Sequence, residues 1–233
     1  TGIEVNDSVW PYNDNYATYS MKIDNNNNLY LGRSNKSVVK VDSNGNEVVN
    51  ISESRRIGDI CFDPSENIYV GLNNETKKYD SSGSPVWTNS SINSIRAIVF
   101  EPSESVIYIG TYNDKIHKLD ANDGSEITTG RWPFTDHGNY IIKLKILNGH
   151  LFSSASDQTV RKISFDGNEV VKYSFNGNPN GSDVNYDEKV YISDNDGNLN
   201  KAEPSGENTL TEKWPIQPFT TYSGGLVVYS SYW

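Results

Sequence analysis

Short runs of alternating apolar and polar residues recur along the whole chain, and each run ends at Gly, Pro, Asn, Asp or Ser. The stretch from Gly58 to Trp87 shows this pattern most completely. Runs of this kind, bounded by turn-forming residues, are typical of β-strands joined by tight hairpins. Helical periodicity is missing in this stretch and almost everywhere else. The stretch therefore predicts a four-stranded antiparallel meander, with strands at residues 59–62, 67–71 and 76–79 and a fourth that carries Val86 and Trp87.

An aromatic residue in the second strand marks each copy of this unit. Successive copies lie 39, 39, 44 and 39 residues apart, and a degenerate sixth copy occupies residues 225–229. A period of about 40 residues with four strands in each period is the pattern of a β-propeller blade. The marker residues are Tyr30, Tyr69, Tyr108, Phe152 and Tyr191.

Turn-forming residues follow the third strands in step. In the second copy Asp80 closes the strand and Gly83 follows it. An Asp side chain accepts hydrogen bonds from backbone N–H groups two residues on, and Gly supplies a positive φ. We therefore assign these aspartates to hairpin turns and not to a functional site. The glycines at the other equivalent places are Gly45, Gly124, Gly167 and Gly206.

The two ends of the chain each match half of the unit. Residues 1–12 match a third and a fourth strand, and residues 219–233 supply a first and a second strand. Pairing the two ends would close a ring without an exposed sheet edge. We therefore predict an all-β fold, a six-bladed β-propeller of four-stranded antiparallel blades in one domain that spans residues 1–233. The predicted blades are residues 19–57, 58–95, 96–140, 141–181, 182–218, and 219–233 together with 1–18.

One segment, Asp80-Ser-Ser-Gly83-Ser-Pro-Val-Trp87, resembles the D-x-x-G-x-x-x-W tryptophan-docking element of PQQ-like repeats. The chain as a whole resembles the PQQ-like (quinoprotein-like) and wider WD40-like, YVTN-type propeller superfamily. The resemblance implies the fold, with a tryptophan packed between neighbouring blades. Quinone-dependent enzymes of that family hold a calcium-bound cofactor, but its ligands are not recognisable in this sequence, so we do not expect that activity. Tryptophans at comparable places are Trp10, Trp132 and Trp214.

The charge of the chain argues against some classes of binding partner. The net charge is −10 and the pI is about 4.8, and the Lys and Arg residues form no basic stripe. We therefore expect neither nucleic-acid binding nor docking on an anionic membrane. No signal peptide or transmembrane run is recognisable. The single cysteine, Cys61, alternates with apolar neighbours and is predicted to be a core residue.

Three Asn- and Asp-rich turns resemble the start of a calcium-binding loop. The best of them contains Asp194, Asp196 and Asn198, with oxygen ligands at alternating positions. None of the three has the bidentate Glu in register that such a loop needs. All of them also fall at predicted hairpins, where these residues are expected anyway. We therefore predict no cofactor, and keep calcium at Asp194, Asp196 and Asn198 as the alternative.

Two loops differ from copy to copy and are the candidate binding sites. Arg55 and Arg56 are adjacent in the loop between the first and second copies, where two guanidinium groups could bind a carboxylate or phosphate. The alternative is a solvated pair that balances nearby carboxylates. The longest insertion, residues 128–140, carries Arg131, Asp136 and His137. Extra length on a regular scaffold often carries function. We expect a binding contact there, and no catalytic residue.

The sequence favours a non-enzymatic binding or scaffolding module. Its composition suits a structural, receptor-binding or adhesion component of a larger assembly, such as a virion, a tail or a cell surface. Protein partners or cell-surface glycans would be its ligands, and its location would be extracellular or on a virion surface. One alternative is a carbohydrate-binding, lectin-like protein, and another is a hydrolase or lyase with a central metal.

Overall fold

The computed structural model describes residues 15–194 and 199–204, without the side chain of Asn180. This part of the chain is all-β, with eighteen strands. No helix in it has the length and apolar character that crossing a membrane requires. Measured by the proximity of Cα atoms, the chain divides into two compact units between Ile95 and Arg96.

The strands form five separate antiparallel sheets, and in each sheet the strands follow one another in chain order. The first two sheets consist of β1 (Thr18–Ile23), β2 (Leu29–Arg33), β3 (Ser37–Val41) and β4 (Glu47–Ser52), and of β5 (Ile57–Phe62), β6 (Ile68–Leu72), β7 (Thr76–Tyr79) and β8 (Pro85–Asn89). The third sheet consists of β9 (Ile95–Glu101), β10 (Val106–Thr111) and β11 (Ile116–Asp120). The fourth and fifth consist of β12 (Ile141–Leu147), β13 (His150–Ala155), β14 (Thr159–Ser164) and β15 (Glu169–Ser174), and of β16 (Pro179–Val184), β17 (Val190–Asp194) and β18 (Leu199–Ala202).

The prediction of a six-bladed propeller is wrong. Residues 15–194 and 199–204 form five sheets of three or four strands, and these neither join into a closed sheet nor form a ring. The hairpins within a sheet are encoded locally, by alternation and turn residues, whereas closure depends on pairing between distant segments that no local pattern specifies. The sixth sheet was inferred from residues 1–12 and 219–233, which lie outside the described part. The single-domain expectation stays a prediction.

The first unit holds its sheets together through an apolar core between the first and second sheets. Residues of both sheets are buried there, among them Tyr30 and Val38 of the first and Ile60 and Val70 of the second. Burial of this kind contributes about 25 cal/mol per Å² of apolar surface. Polar bonds add to the core at its rim: Lys40 Nζ lies 2.5 Å from Glu66 Oε2, in the first turn of the second sheet.

The second unit has two such cores. One gathers residues of the third and fourth sheets, including Tyr108, Ile141 and Leu151, and the other joins the fourth and fifth sheets around Phe152 and Tyr173. The third sheet differs from the prediction because its fourth strand is missing among the described strands. Residues 121–140 replace that strand, and their backbone pairs with β11 at two isolated bridges, Ile116 to Phe134 and Leu119 to Glu126.

The tryptophan predicted to lie between repeats in this region does so. Trp132 is buried, its ring centroid lies 5.0 Å from that of Tyr108, and its Nε1 donates to the carbonyl oxygen of Phe165 at 2.8 Å. Trp132 therefore links the third sheet to the turn after β14. Trp10 and Trp214 lie outside the described residues.

The second-strand aromatic residues that marked the repeats are the centres of the sheets. Tyr30, Tyr69 and Tyr108 are completely buried. A lysine of the third strand stands opposite each marker residue and lies over its ring in four of the sheets, at 5.2 to 5.9 Å from the centroid. The cross-strand pairs are Tyr30 with Lys40, Tyr69 with Lys78, Tyr108 with Lys118, Phe152 with Lys162 and Tyr191 with Lys201.

The predicted turn chemistry is confirmed where it can be seen. Asp80 Oδ1 accepts hydrogen bonds from the backbone N–H groups of Ser82 and Ser84, both at 2.9 Å. The glycines that follow the third strands have the positive φ that an L-residue adopts only with strain. Their φ values are 83° at Gly45, 87° at Gly83, 75° at Gly124 and 85° at Gly167. Gly206 lies outside the described residues.

In four of the five sheets the first strand starts with an irregularity in its pairing. The pairing register of β1 shifts between Thr18 and Ser20, so that Tyr19 is an extra residue without a cross-strand partner. The same shift flanks the second residue of β5, β12 and β16. A bulge of this kind turns the side chain of the extra residue away from the regular alternation of the strand.

Candidate binding site

Three side chains of the second unit form a compact cluster of two aromatic rings and a guanidinium group. The Cζ atom of Arg96 lies 5.1 Å from the ring centroid of Tyr112 and 4.9 Å from that of Tyr140. The two ring centroids are 5.5 Å apart, with the rings tilted by 43°. The three groups therefore stand at nearly equal distances from one another. We call Arg96, Tyr112 and Tyr140 the arginine–tyrosine cluster.

The cluster is accessible from solvent. Tyr112 is 42% exposed, and Arg96 and Tyr140 are half-buried. Arg96 Nη1 donates to the Tyr112 hydroxyl at 2.6 Å, which fixes one edge of the guanidinium group. The Nε of Arg96 is buried without a hydrogen-bond partner, whereas Nη2 is neither bonded within the described structure nor among its buried unpaired atoms. Nη2 is therefore the guanidinium nitrogen that is left for a further acceptor.

Each member of the cluster comes from a different place in the third and fourth sheets. Arg96 is the second residue of β9, the place that the bulged Tyr19 occupies in β1. Tyr112 follows β10 in a turn that is closed by a bond from Thr111 N to Lys115 O. Tyr140 directly precedes β12, and its carbonyl oxygen accepts a hydrogen bond from Ser156 N at 2.9 Å.

The loop that presents Tyr140 is anchored by a hydrogen-bond network around the buried side chain of His137. The imidazole Nδ1 lies 3.1 Å from Asp157 Oδ2, and Nε2 lies 2.7 Å from Ser153 Oγ. The next backbone N–H, of Gly138, donates to the same Asp157 oxygen at 3.0 Å. Thr159 Oγ1 donates to the other oxygen of Asp157 at 2.6 Å. The turn between β13 and β14 thus fastens the insertion two to three residues before Tyr140.

The order of groups in this network matches that of a proton relay in hydrolases, but the burial argues for a structural role. With the imidazole proton on Nδ1, His137 would donate to Asp157 and accept from the Ser153 hydroxyl, as a serine nucleophile would require. Ser153 is 0% exposed and the side chain of His137 is 0% exposed, so a substrate carbonyl has no route to the hydroxyl. Burial by itself would raise the pKa of Asp157, but the hydrogen bonds from His137, Thr159 and Gly138 outweigh it and lower that pKa far below its usual value.

A smaller version of the cluster lies in the first unit. The Cζ atom of Arg56 lies 5.1 Å from the ring centroid of Tyr19, which is 50% exposed. Tyr19 is the second residue of β1 and Arg56 directly precedes β5. Arg96 and Tyr140 hold the same two places, relative to β9 and β12, with the aromatic residue and the cation exchanged. The arginine–tyrosine pairing therefore recurs at equivalent positions of successive sheets.

The structure separates the residues that the sequence proposed together. Arg55 points towards Glu75, at 3.7 Å, while the adjacent Arg56 lies on Tyr19. The carboxylates expected to balance this pair are used elsewhere: Glu53 binds Lys77 at 2.8 Å, and Asp59 lies 3.3 Å from Lys22.

In the insertion, Arg131 and Asp136 form an exposed ion pair with 3.3 Å between Nη2 and Oδ2. The neighbouring His137 turns inwards to Asp157 instead of pairing with Asp136. The binding role expected of these three residues stays a prediction.

Of the three residues predicted as possible calcium ligands, only Asp194 lies in the described part of the chain. Asp194 is buried at the end of β17, where its Oδ2 accepts a hydrogen bond from Asn200 at 3.1 Å. Asp196 and Asn198 lie outside the described residues. Within those residues, no group of three or more His, Cys, Asp or Glu side chains is arranged to hold a metal ion. The aspartates of the other calcium-like turns, Asp24 and Asp42, accept backbone N–H groups of their own hairpins.

Comparison with known proteins informs the fold alone. No protein-family model and no curated protein matches the sequence. The chain is similar to the crystal structure of the computationally designed Ika8 protein, with a TM-score of 0.66, 15% identity, and coverage of 81% of this chain and 58% of that one. It is also similar to the designed Ika4 protein, with a TM-score of 0.56, 15% identity, and coverage of 65% and 93%. The chain thus spans little more than half the length of Ika8.

Proposed function

We propose that this chain is a non-enzymatic binding module whose contact surface is the arginine–tyrosine cluster. The observation that carries the proposal is the packing of Arg96 against two partly exposed tyrosine rings, with Nη2 of the guanidinium group left without a partner within the described residues. Tyr and Arg are the side chains most enriched among the residues that dominate binding energy. Tyr supplies a large contact area with few rotatable bonds, and Arg supplies a planar fork of directional donors.

The rigidity of the surroundings supports this function. Strands β9, β10 and β12 place the cluster on sheets with fully buried centres, and the His137 network fixes the loop before Tyr140. A preorganised surface loses little conformational entropy when a partner binds. The wider setting we propose is a structural, receptor-binding or adhesion component of a larger assembly, such as a virion, a tail or a cell surface, with an extracellular or virion-surface location.

Site-specific cross-linking tests the proposal. A photoreactive benzophenone side chain replaces Tyr112 in the full chain, which is then exposed to the native assembly or host cells and illuminated. The matched control carries the same group at Tyr186, a 61% exposed tyrosine outside the cluster. We expect one major cross-linked species from position 112 and none from position 186. Equal labelling from both positions, or none from either, would contradict the proposal.

A carbohydrate ligand is the second candidate, and the two adjacent tyrosine rings favour it. The exposed ring of Tyr112 offers a flat surface on which the C–H groups of a sugar could pack. A glycan array probed with the full chain and with Tyr112→Ala distinguishes the candidates. Hits that disappear in the variant support the lectin-like function, and an array without hits leaves the protein partner.

A further inference from the structure

The six arginines of the chain divide into two groups by their partners. Four of them have a carboxylate within 4 Å: Arg33 with Glu47, Arg55 with Glu75, Arg131 with Asp136, and Arg161 with Glu169. Arg56 and Arg96 lie on tyrosine rings instead, and within the described structure neither has a carboxylate partner.

The chemistry around Arg96 leaves the guanidinium group only partly satisfied. A tyrosine face attracts a cation with about 0.5–1 kcal/mol at an exposed site, and neutralises none of its charge. The hydroxyl of Tyr112 occupies Nη1, while Nη2 is left for a further acceptor. A carboxylate is the acceptor that fits a guanidinium edge in geometry and charge.

We propose that Arg96 is a receptor for a carboxylate, supplied by an Asp or Glu side chain of a protein partner. The inference rests on the proposed binding function and names the group that the site recognises. Tyr112 and Tyr140 would pack on the aliphatic part of the acidic side chain while Arg96 binds its carboxylate. Arg and Tyr together are typical of the centres of protein–protein interfaces, which favours a protein as the source.

The recurrence of the pairing is an independent argument for a receptor role. Arg56 and Tyr19 occupy the places of Tyr140 and Arg96, so the cation and the ring are retained although their order along the chain is reversed. A residue that served only the local backbone geometry would keep its own position. Both places therefore present a cation on a tyrosine ring, whichever position supplies each group.

Peptides selected from a random display library against the full chain are the test. We expect the selected peptides to be rich in Asp or Glu, and replacement of the key Glu by Gln to weaken binding about tenfold or more. Arg96→Gln should weaken the same peptides by a similar factor, and should make the Glu→Gln replacement in the peptide nearly neutral. Arg96→Lys keeps the charge without the planar fork, so its affinity for the peptides should lie between those of the parent chain and Arg96→Gln.

The matched control is Arg131→Gln, because Arg131 is more exposed but already has Asp136 as its partner. This variant should bind the peptides as the parent chain does, and thermal melts of all variants verify folding. Peptides that tolerate Arg96→Gln overturn the inference. If the peptides still bind Arg96→Gln but no longer bind Tyr112→Ala, the proposed binding function is supported and only the recognition of a carboxylate by Arg96 is contradicted.

The same chain is then offered oligosaccharides that carry uronic or sialic acids. Binding of these sugars that depends on Arg96, without binding of acidic peptides, would overturn a protein as the source of the carboxylate.

Discussion

His137 Nδ1 lies 3.1 Å from Asp157 Oδ2, across a separation of twenty residues that includes the whole of β12 and β13. This bond connects the loop before β12 to the turn after β13. It is partly buried, and Gly138 and Thr159 donate to the same carboxylate. A single aspartate thus gathers the donors that fix the loop presenting Tyr140.

Asp157→Asn should destabilise the chain by about 2 kcal/mol, because a largely buried charged acceptor is replaced by an amide that cannot accept all of these bonds. Urea unfolding measures the loss. Asp136→Asn is the control: it removes an exposed carboxylate paired only with Arg131, and should cost less than about 0.5 kcal/mol. Equal effects of the two variants would contradict the role given to the network.

The stabilisation by Asp157 should depend on pH. Because the pKa of Asp157 is lowered in the folded chain, its contribution is fully present above the unfolded value of about 3.9. It is lost as the pH falls towards the folded pKa, where the folded carboxylate also takes up a proton. The stability difference between the parent chain and Asp157→Asn should therefore shrink below about pH 4. Urea unfolding across an acid pH series would show this, and a constant difference would argue against it.

Buried tyrosines should make the chain sensitive to alkali. Burial, with the charge of Glu188 as a smaller cause, raises the pKa of Tyr173 to about 12. Its contribution to stability is complete below the unfolded value of about 10 and is lost as the pH rises through the folded value. Tyr173→Phe should lose less stability over this range than the parent chain does. Tyrosinate absorbance and unfolding midpoints, followed together, test the assignment.

The contact between the third and fourth sheets should not tolerate a methyl group at Gly110. A Cβ at this position would lie 2.5 Å from Ile141 Cγ2 and 2.8 Å from Ile141 Cβ. Gly110→Ala should therefore cost about 1–3 kcal/mol through overpacking. Gly138→Ala is the control, since a Cβ there would meet only Asp157 Cβ, at 3.8 Å. Thermal unfolding of the two variants should separate them clearly.

Local features of the fold could be predicted from the sequence, while long-range ones could not. The tyrosines at positions 30, 69 and 108, the hairpin aspartates and the positive-φ glycines follow from alternation and turn chemistry within a few residues. Ring closure was inferred from a match between the two ends of the chain, whereas the described strands form five separate sheets. The missing fourth strand of the third sheet was also hidden, because Trp132 suggested a strand where the chain forms a loop.

The candidate site shows the same division. Tyr140 and His137 belong to the insertion that the sequence singled out, whereas Asp157 and Ser153 belong to a turn and a strand that looked ordinary. Arg96 carried no signal at all, since nothing in its neighbourhood in the sequence indicates the two tyrosine rings that meet it in space. Differences between aligned repeats would have marked it, because the other first strands have no cation at that position.

The second position of the first strands has a consequence for how such a surface can change. Tyr19, Arg96 and Ile142 hold the same place in three sheets, and they are an aromatic residue, a cation and an aliphatic residue. In the second sheet Gly58 holds it, and the carbonyl oxygen of Ile95 leaves it no room for a side chain. Where this position has room for a side chain, one type of side chain can be replaced by another without repacking a core. Substitutions at such positions are therefore a direct way to change which partner the protein binds.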